Sequence, residues 1–111
     1  MLNQIVLVGR LTRNITVNKS DNGVKVATIA LAIPRSFKNS EGTYDTDFVD
    51  CIAFDMVAEN TAEYCNKGDI VGVKGRLQSR SEGEGEERKN SIEVIAEKVT
   101  FLSSKSKETD E

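Results

Sequence analysis

The 111 residues contain no histidine and no tryptophan, a single proline and two cysteines. The shortages of histidine and cysteine close off classes of function. Without histidine, the side chain that most often moves protons near neutral pH is missing. Two scattered cysteines, Cys51 and Cys65, supply no ligand set for a dedicated zinc site. They also cannot frame a disulfide-stapled fold, so both are expected to be reduced, in a cytoplasmic protein. No apolar run approaches the roughly 18 residues of a membrane-spanning helix. The opening MLNQIVLVGRL lacks the basic region and small-residue cleavage site of a signal peptide. The expectation is a chain without catalytic residues, metal or cofactor.

What is present fits one soluble domain with a modest core: 38% hydrophobic and 30% charged residues. The net charge of −3 is unevenly spread. Residues 1–80 hold ten Lys/Arg against nine Asp/Glu, whereas residues 81–111 hold five against nine. A near-neutral body with an acidic end can still carry one basic face.

Five strands and one helix are legible. Residues 3–12 form the first strand, where Ile5, Val6, Leu7 and Val8 are apolar on both faces. Such a strand needs a second cover, which in so small a chain points to another subunit. Gly9 marks a bend or bulge. Asn22-Gly23 is the strongest hairpin signal. Residues 24–33 form the second strand, stopped by Pro34. After a polar loop over residues 36–46, residues 47–54 form the third. Residues 56–66 form the helix, with Val57, Thr61 and Tyr64 on one side and Gly68 placed for a left-handed cap. Residues 69–80 form the fourth strand, with Val71, Val73 and Leu77 on one face and Lys74, Arg76, Gln78 and Arg80 on the other. Residues 81–90, SEGEGEERKN, read as a flexible loop. Their Gly-Glu-Gly-Glu run lacks the third glycine and following helix of a dinucleotide motif. In the last strand, residues 91–102, the apolar parity switches from Ile92, Val94 and Ala96 to Val99 and Phe101, which places a bulge near Glu97 or Lys98. Residues 103–111 are expected to form a disordered polar tail.

The third strand carries the strongest functional signal. Strand alternation puts Val49, Cys51 and Ala53 on a core face and Phe48, Asp50, Ile52 and Phe54 on the other. Two rings on a face interrupted by a charge, beside a loop bearing Arg35, Phe37 and Lys38, suit flat ligands and anions. Burial of both rings under the loop or in a subunit contact remains the alternative. The order β-β-β-α-β-β is that of the OB-fold, an all-β, five-stranded Greek-key barrel with one short helix, here expected over residues 1–102.

The residues then resemble a known family, the bacterial and phage single-stranded DNA-binding proteins. The resemblance is carried by MLNQIVLVGRLTRN, by Asp21-Asn22-Gly23 with Val26-Ala27-Thr28, and by Asp47-Phe48-Val49-Asp50-Cys51. Ala58-Glu59-Asn60, Lys67-Gly68-Asp69, residues 73–80 (VKGRLQSR) and Glu93-Val94 with Ala96-Glu97 continue it in register. It implies sequence-independent binding of single-stranded DNA by a homotetramer serving replication, recombination and repair, without catalysis. It also implies stacking by Phe37, Phe48 and Phe54, with basic contacts from Arg35, Lys67 and Arg80. Arg10 is retained from the family motif. Lys38 joins through its loop, and Lys74 and Arg76 through strand parity. Two features depart from the family. Glu82 stands where many relatives carry a ring, and the chain ends in Lys-Glu-Thr-Asp-Glu rather than the acidic Pro-Phe tip that recruits repair partners.

Two other functions stay open at this point. An OB-fold adaptor of the primosome type would bind mainly protein, and tight single-strand binding would count against it. A nuclease would need Asp45, Asp47 and Asp50 to gather a metal. Asp47 and Asp50 differ in strand parity, so they diverge.

Overall fold

The computed structural model describes residues 1–104. Six strands and one α-helix follow in the order β1 (Ile5–Leu11), β2 (Val17–Lys19), β3 (Lys25–Lys38), β4 (Tyr44–Phe54), α1 (Asp55–Tyr64), β5 (Ile70–Glu82) and β6 (Lys89–Ser103), with a 3-10 turn over Gly85–Glu87 between the last two. Five of the strands close a barrel in the order β1-β5-β6-β4-β3, with β3 returning to β1 through Arg10↔Ala32 and Leu11↔Leu31. The contact of β4 with β6, Cys51↔Val94 and Ile52↔Ile95, is parallel, and the other pairings are antiparallel. The short β2 was not anticipated. It pairs with the start of β3 across the Asn22-Gly23 turn.

Alternation fills the interior. Leu11, Ile29, Leu31, Cys51, Val71 and Val73 are fully buried, and the helix contributes Ala58 and Thr61. The expected bulge falls at Glu97: Lys74 faces Lys98 but Gly75 faces Ala96, leaving Glu97 unopposed. Gly75 is required there, because a Cβ would lie 1.9 Å from the Ile95 carbonyl oxygen.

Four local expectations are corrected. Gly9 keeps register with Val71, so it is no bulge. It marks a close approach of β1 to β3, where a Cβ would lie 2.9 Å from the Ala32 oxygen. Pro34 does not end β3. It still faces Thr46, and the strand runs on to Lys38. The helix ends at Tyr64, so Gly68, although at φ +95°, serves the following turn rather than a helix cap. That turn is closed by Asp69 N–H donating to the Asn66 carbonyl at 3.0 Å.

The fourth correction matters most for function. The expected loop 36–46 is a β-ribbon projecting from the barrel, whereas of the expected loop 81–90 only the two ends are strand and residues 83–88 connect them. β3 and β4 continue to a tight turn at residues 39–43, and β5 and β6 stay paired out to Glu82↔Lys89. Of the expected tail, Ser103 belongs to β6, and residues 105–111 lie outside the described residues.

Candidate nucleic-acid interface

The outer face of the β3–β4 pair sets large residues beside small ones. Phe54 faces Val26, Ile52 faces Thr28, Asp50 faces Ala30 and Phe48 faces Ala32. Small neighbours cannot cover a phenyl ring. Phe48 is accordingly 76% exposed and Phe54 39% exposed. The opposite parity, Val49, Cys51 and Ala53, turns inward. Burial of the two rings in this chain's core is therefore excluded.

On the projecting ribbon, residues 35–37 of β3 stand opposite Asp45 alone, between the pairs Pro34↔Thr46 and Lys38↔Tyr44. This bulge holds Phe37, which is 63% exposed. Arg35 does not point freely to solvent. Its guanidinium donates to both Asp47 carboxylate oxygens, at 2.9 and 3.2 Å, and lies 3.8 Å from Asp45. The hydrogen bond from Arg35 holds the Asp47 carboxyl below the usual carboxylate range and pushes Arg35 upward in turn. Asp45 and Asp47 thus engage Arg35, while Asp50 lies beside Phe48 on the other face, and the three carboxylates do not converge on a metal.

The basic residues of β5 share the outer surface with the rings. Arg76 faces Ile95, Ile95 faces Ile52, and Ile52 faces Thr28, so one row crosses β5, β6, β4 and β3. Lys74 faces Lys98 across the bulge. The arginines are held by neighbours: Arg76 lies 3.8 Å from Glu97, and Arg80 lies 3.1 Å from Glu82 and 3.2 Å from Glu93. Among the described residues, Lys38, Lys67 and Lys74 form no ion pair.

Arg10 and Lys67 are placed differently. Arg10 faces Ala32, which in turn faces Phe48, so Arg10 sits two strands from that ring. Its guanidinium donates to the Gly68 carbonyl at 2.8 Å, tying β1 to the turn before β5. Lys67 is in that turn, its backbone N–H held by Asn14 Oδ1 at 2.7 Å.

Sequence reasoning missed three contributors. Tyr44 belongs to β4 and shares the parity of Phe48, a signal available once the strand is extended three residues. Lys98 joins Lys74 because the bulge reverses its face. The segment between β1 and β2 flanks the outer face of β3, where Arg13, Asn14, Thr16, Val26 and Thr28 line a cleft of about 280 Å³. Nothing in its composition marked it.

The profile of the single-strand binding protein family matches residues 2–102. The chain belongs to this family. It is 46% identical over 110 residues to single-stranded DNA-binding protein B of Bacillus subtilis, covering 97% of this chain and 96% of that one. It is 46% identical over 103 residues to the single-stranded DNA-binding protein of Bacillus cereus, covering 92% of this chain but 61% of the relative. Among solved structures, the wild-type single-stranded DNA-binding protein of Thermus aquaticus superposes with a TM-score of 0.79 at 25% identity, covering 95% of this chain and 52% of that one. The chain therefore spans about six tenths of the Bacillus cereus relative and about half of the Thermus one. The closed five-strand barrel is the OB-fold anticipated from element order. No helix among the described residues is long and apolar enough to cross a membrane.

Proposed function

We propose that this chain binds single-stranded DNA without sequence preference and carries out no catalysis. Bases stack on Phe37, Phe48 and Phe54, and phosphates are drawn by Arg10, Arg35, Lys38, Lys67, Lys74, Arg76 and Arg80. The observation that carries this reading is the exposed pair Phe48 and Phe54, left uncovered by Ala32 and Val26 on the outer face of the barrel. An aromatic face accepts any base, because every base has a π-face. The role that follows is protection of single strands during bacterial or phage replication, recombination and repair, in the cytoplasm. Proteins of those processes are the partners that the reading implies.

The assembly that fits is a homotetramer. Val6 and Val8 are 65% and 52% exposed on the outside of β1, whereas Ile5 and Leu7 pack on the core. A second subunit gives that outer row its cover. Sedimentation equilibrium at micromolar concentration tests this, and a monomer mass refutes it.

Binding itself is tested by titrating dT oligonucleotides and duplex at several salt concentrations. Single strands are expected to bind tighter, with log K falling by about 0.7 per contacted phosphate for each tenfold rise in salt. Equal affinity for duplex and single strand at moderate salt overturns the reading.

A further inference from the structure

We propose that Tyr44 and Lys38 at the tip of the β3–β4 ribbon form a further nucleotide-binding position, extending the track beyond Phe48. The inference rests on the single-strand reading above and adds a site to it.

Three observations carry it. First, Tyr44 is on the right face. The bulge lies wholly in β3, so β4 keeps strict alternation, and Tyr44, Thr46 and Phe48 point the same way. Four residues of strand set the two rings about 13 Å apart along one line. Second, the ring is presented rather than packed. Tyr44 is 56% exposed, and Lys38, its cross-strand partner, sets its ammonium 5.9 Å from the ring centroid. One position therefore offers a π-face for a base and an adjacent cation, free of ion pairs, for its phosphate.

Third, the tip is built as a rigid element. Asn39 Oδ1 accepts the backbone N–H groups of Glu41 and Thr43, at 2.9 and 3.1 Å. Its Nδ2 donates to Thr43 Oγ1 and Asp45 Oδ1, at 2.9 and 3.0 Å. The backbone adds Asn39 N–H to the Thr43 carbonyl at 2.7 Å, and Gly42 takes the φ of +83° that the turn requires. A tip tied in this way needs little further ordering when it meets a ligand.

The chain's lack of tryptophan makes the test direct. Tyr64, on α1, is the only other tyrosine, so Tyr64→Phe leaves Tyr44 as the sole strong intrinsic fluorophore. That variant is titrated with dT oligonucleotides of about 4 and about 16 nucleotides, the ends of the OB-fold range of site sizes. The long oligonucleotide is expected to quench the Tyr44 emission on binding. Tyr44→Ala should weaken binding of the long oligonucleotide by about 5- to 150-fold, the span to which the stacking of one base converts. Tyr44→Phe should keep the affinity, because it keeps the ring. Phe48→Ala is the control for the track itself. If Phe48→Ala loses affinity while Tyr44 emission and Tyr44→Ala binding stay unchanged, the track ends before the tip and the inference is overturned. If Phe48→Ala also binds normally, the stacking reading falls with it. Should Tyr44→Ala disturb the ribbon, the emission of the unaltered ring still decides.

Discussion

Phe48→Ala separates a ligand platform from a structural ring more cleanly than any other single change. The ring is 76% exposed and its cross-strand neighbour is Ala32, so truncation opens no cavity. Substitutions at such positions usually change stability by less than about 0.5 kcal/mol. A ring buried in the core would instead cost about 3–5 kcal/mol. For a domain of this size, about 1 kcal/mol moves Tm by roughly 4–8 °C. Phe48→Ala should therefore shift Tm by no more than about 4 °C, whereas Leu31→Ala, at a core position 1% exposed, should lower it by upwards of about 10 °C. Binding should respond in the opposite order. Loss of one stacking ring costs about 1–3 kcal/mol, a magnitude established on OB-folds that bind single strands, or roughly 5- to 150-fold in Kd. The assay pairs thermal melts with dT titrations for Phe37→Ala, Phe48→Ala and Phe54→Ala. Phe54, only 39% exposed, should show the largest melting loss of the three. A Phe48→Ala protein that melts like a core variant, or that binds dT at full strength, refutes the reasoning.

Asp47→Asn should tighten dT binding several-fold by releasing Arg35, and no gain would show that Arg35 stays out of the DNA path. Because the Asp47 carboxyl lies below its ordinary value of 3.8, the stabilisation from its pairing is complete above that pH and disappears as pH falls through the lower folded value; in acid titrations, wild type should lose this small increment and Asp47→Asn should not. Burial, aided by Asp50, pushes the Cys51 thiol from 9.0 up to about 11. Between those values the unfolded chain has released the proton and the folded chain has kept it, so stability should fall with rising pH by up to about 1.4 kcal/mol per pH unit, a slope that urea melts of Cys51→Ala should lack. Glu82→Trp should tighten dT binding by roughly 1–3 kcal/mol if the β5–β6 ribbon lies along the DNA, and Glu82→Gln should gain less, because Glu93 still holds Arg80. An equal gain from both variants would assign the effect to charge alone.

The core of the barrel was legible because period-two alternation is a local signal with a global consequence. Val49, Cys51 and Ala53 could turn inward only together, and that fixed Phe48 and Phe54 outside. The Glu97 bulge was legible for the same reason, since a parity switch within one strand has few other causes. The ribbons were not. Residues 36–46 and 81–90 are rich in Gly, Ser, Asn, Asp and Glu, which reads as loop. What carries strand into residues 36–46 is pairing with a partner strand, together with the Asn39 and Gly42 turn chemistry, and of residues 81–90 only 81–82 and 89–90 are drawn into strands by pairing. Strand pairing beyond a proline was equally hidden, because Pro34 lacks only its N–H and the residue can still face Thr46. Tyr44 was lost with the ribbon. The ion pairs of Arg35, Arg76 and Arg80 were lost because each partner is brought alongside by fold register or strand geometry, not by any motif.

On the proposed single-strand reading, those ion pairs bear on how a chain of net charge −3 would hold a polyanion. Arg35, Arg76 and Arg80 are each already faced by one or two carboxylates, so they add little net positive potential at a distance. On this reading long-range attraction would come chiefly from cations that form no ion pair among the described residues, such as Lys38, Lys67 and Lys74, with Lys98 beside the last. At contact the balance changes. Exposed carboxylate pairs are worth only about 0–1 kcal/mol, so a phosphate can take the place of Asp47 or Glu82 at small cost. A guanidinium freed in this way offers a planar, two-pronged donor to the phosphate. The lysines and arginines are therefore assigned different steps. Lysine substitutions should act mainly on association rate and its salt dependence, and arginine substitutions mainly on dissociation. In that proposed scheme the acidic neighbours would set the threshold between the steps: each would favour release of a strand that does not also engage the rings, which would couple phosphate binding to stacking on Phe48 and Phe54.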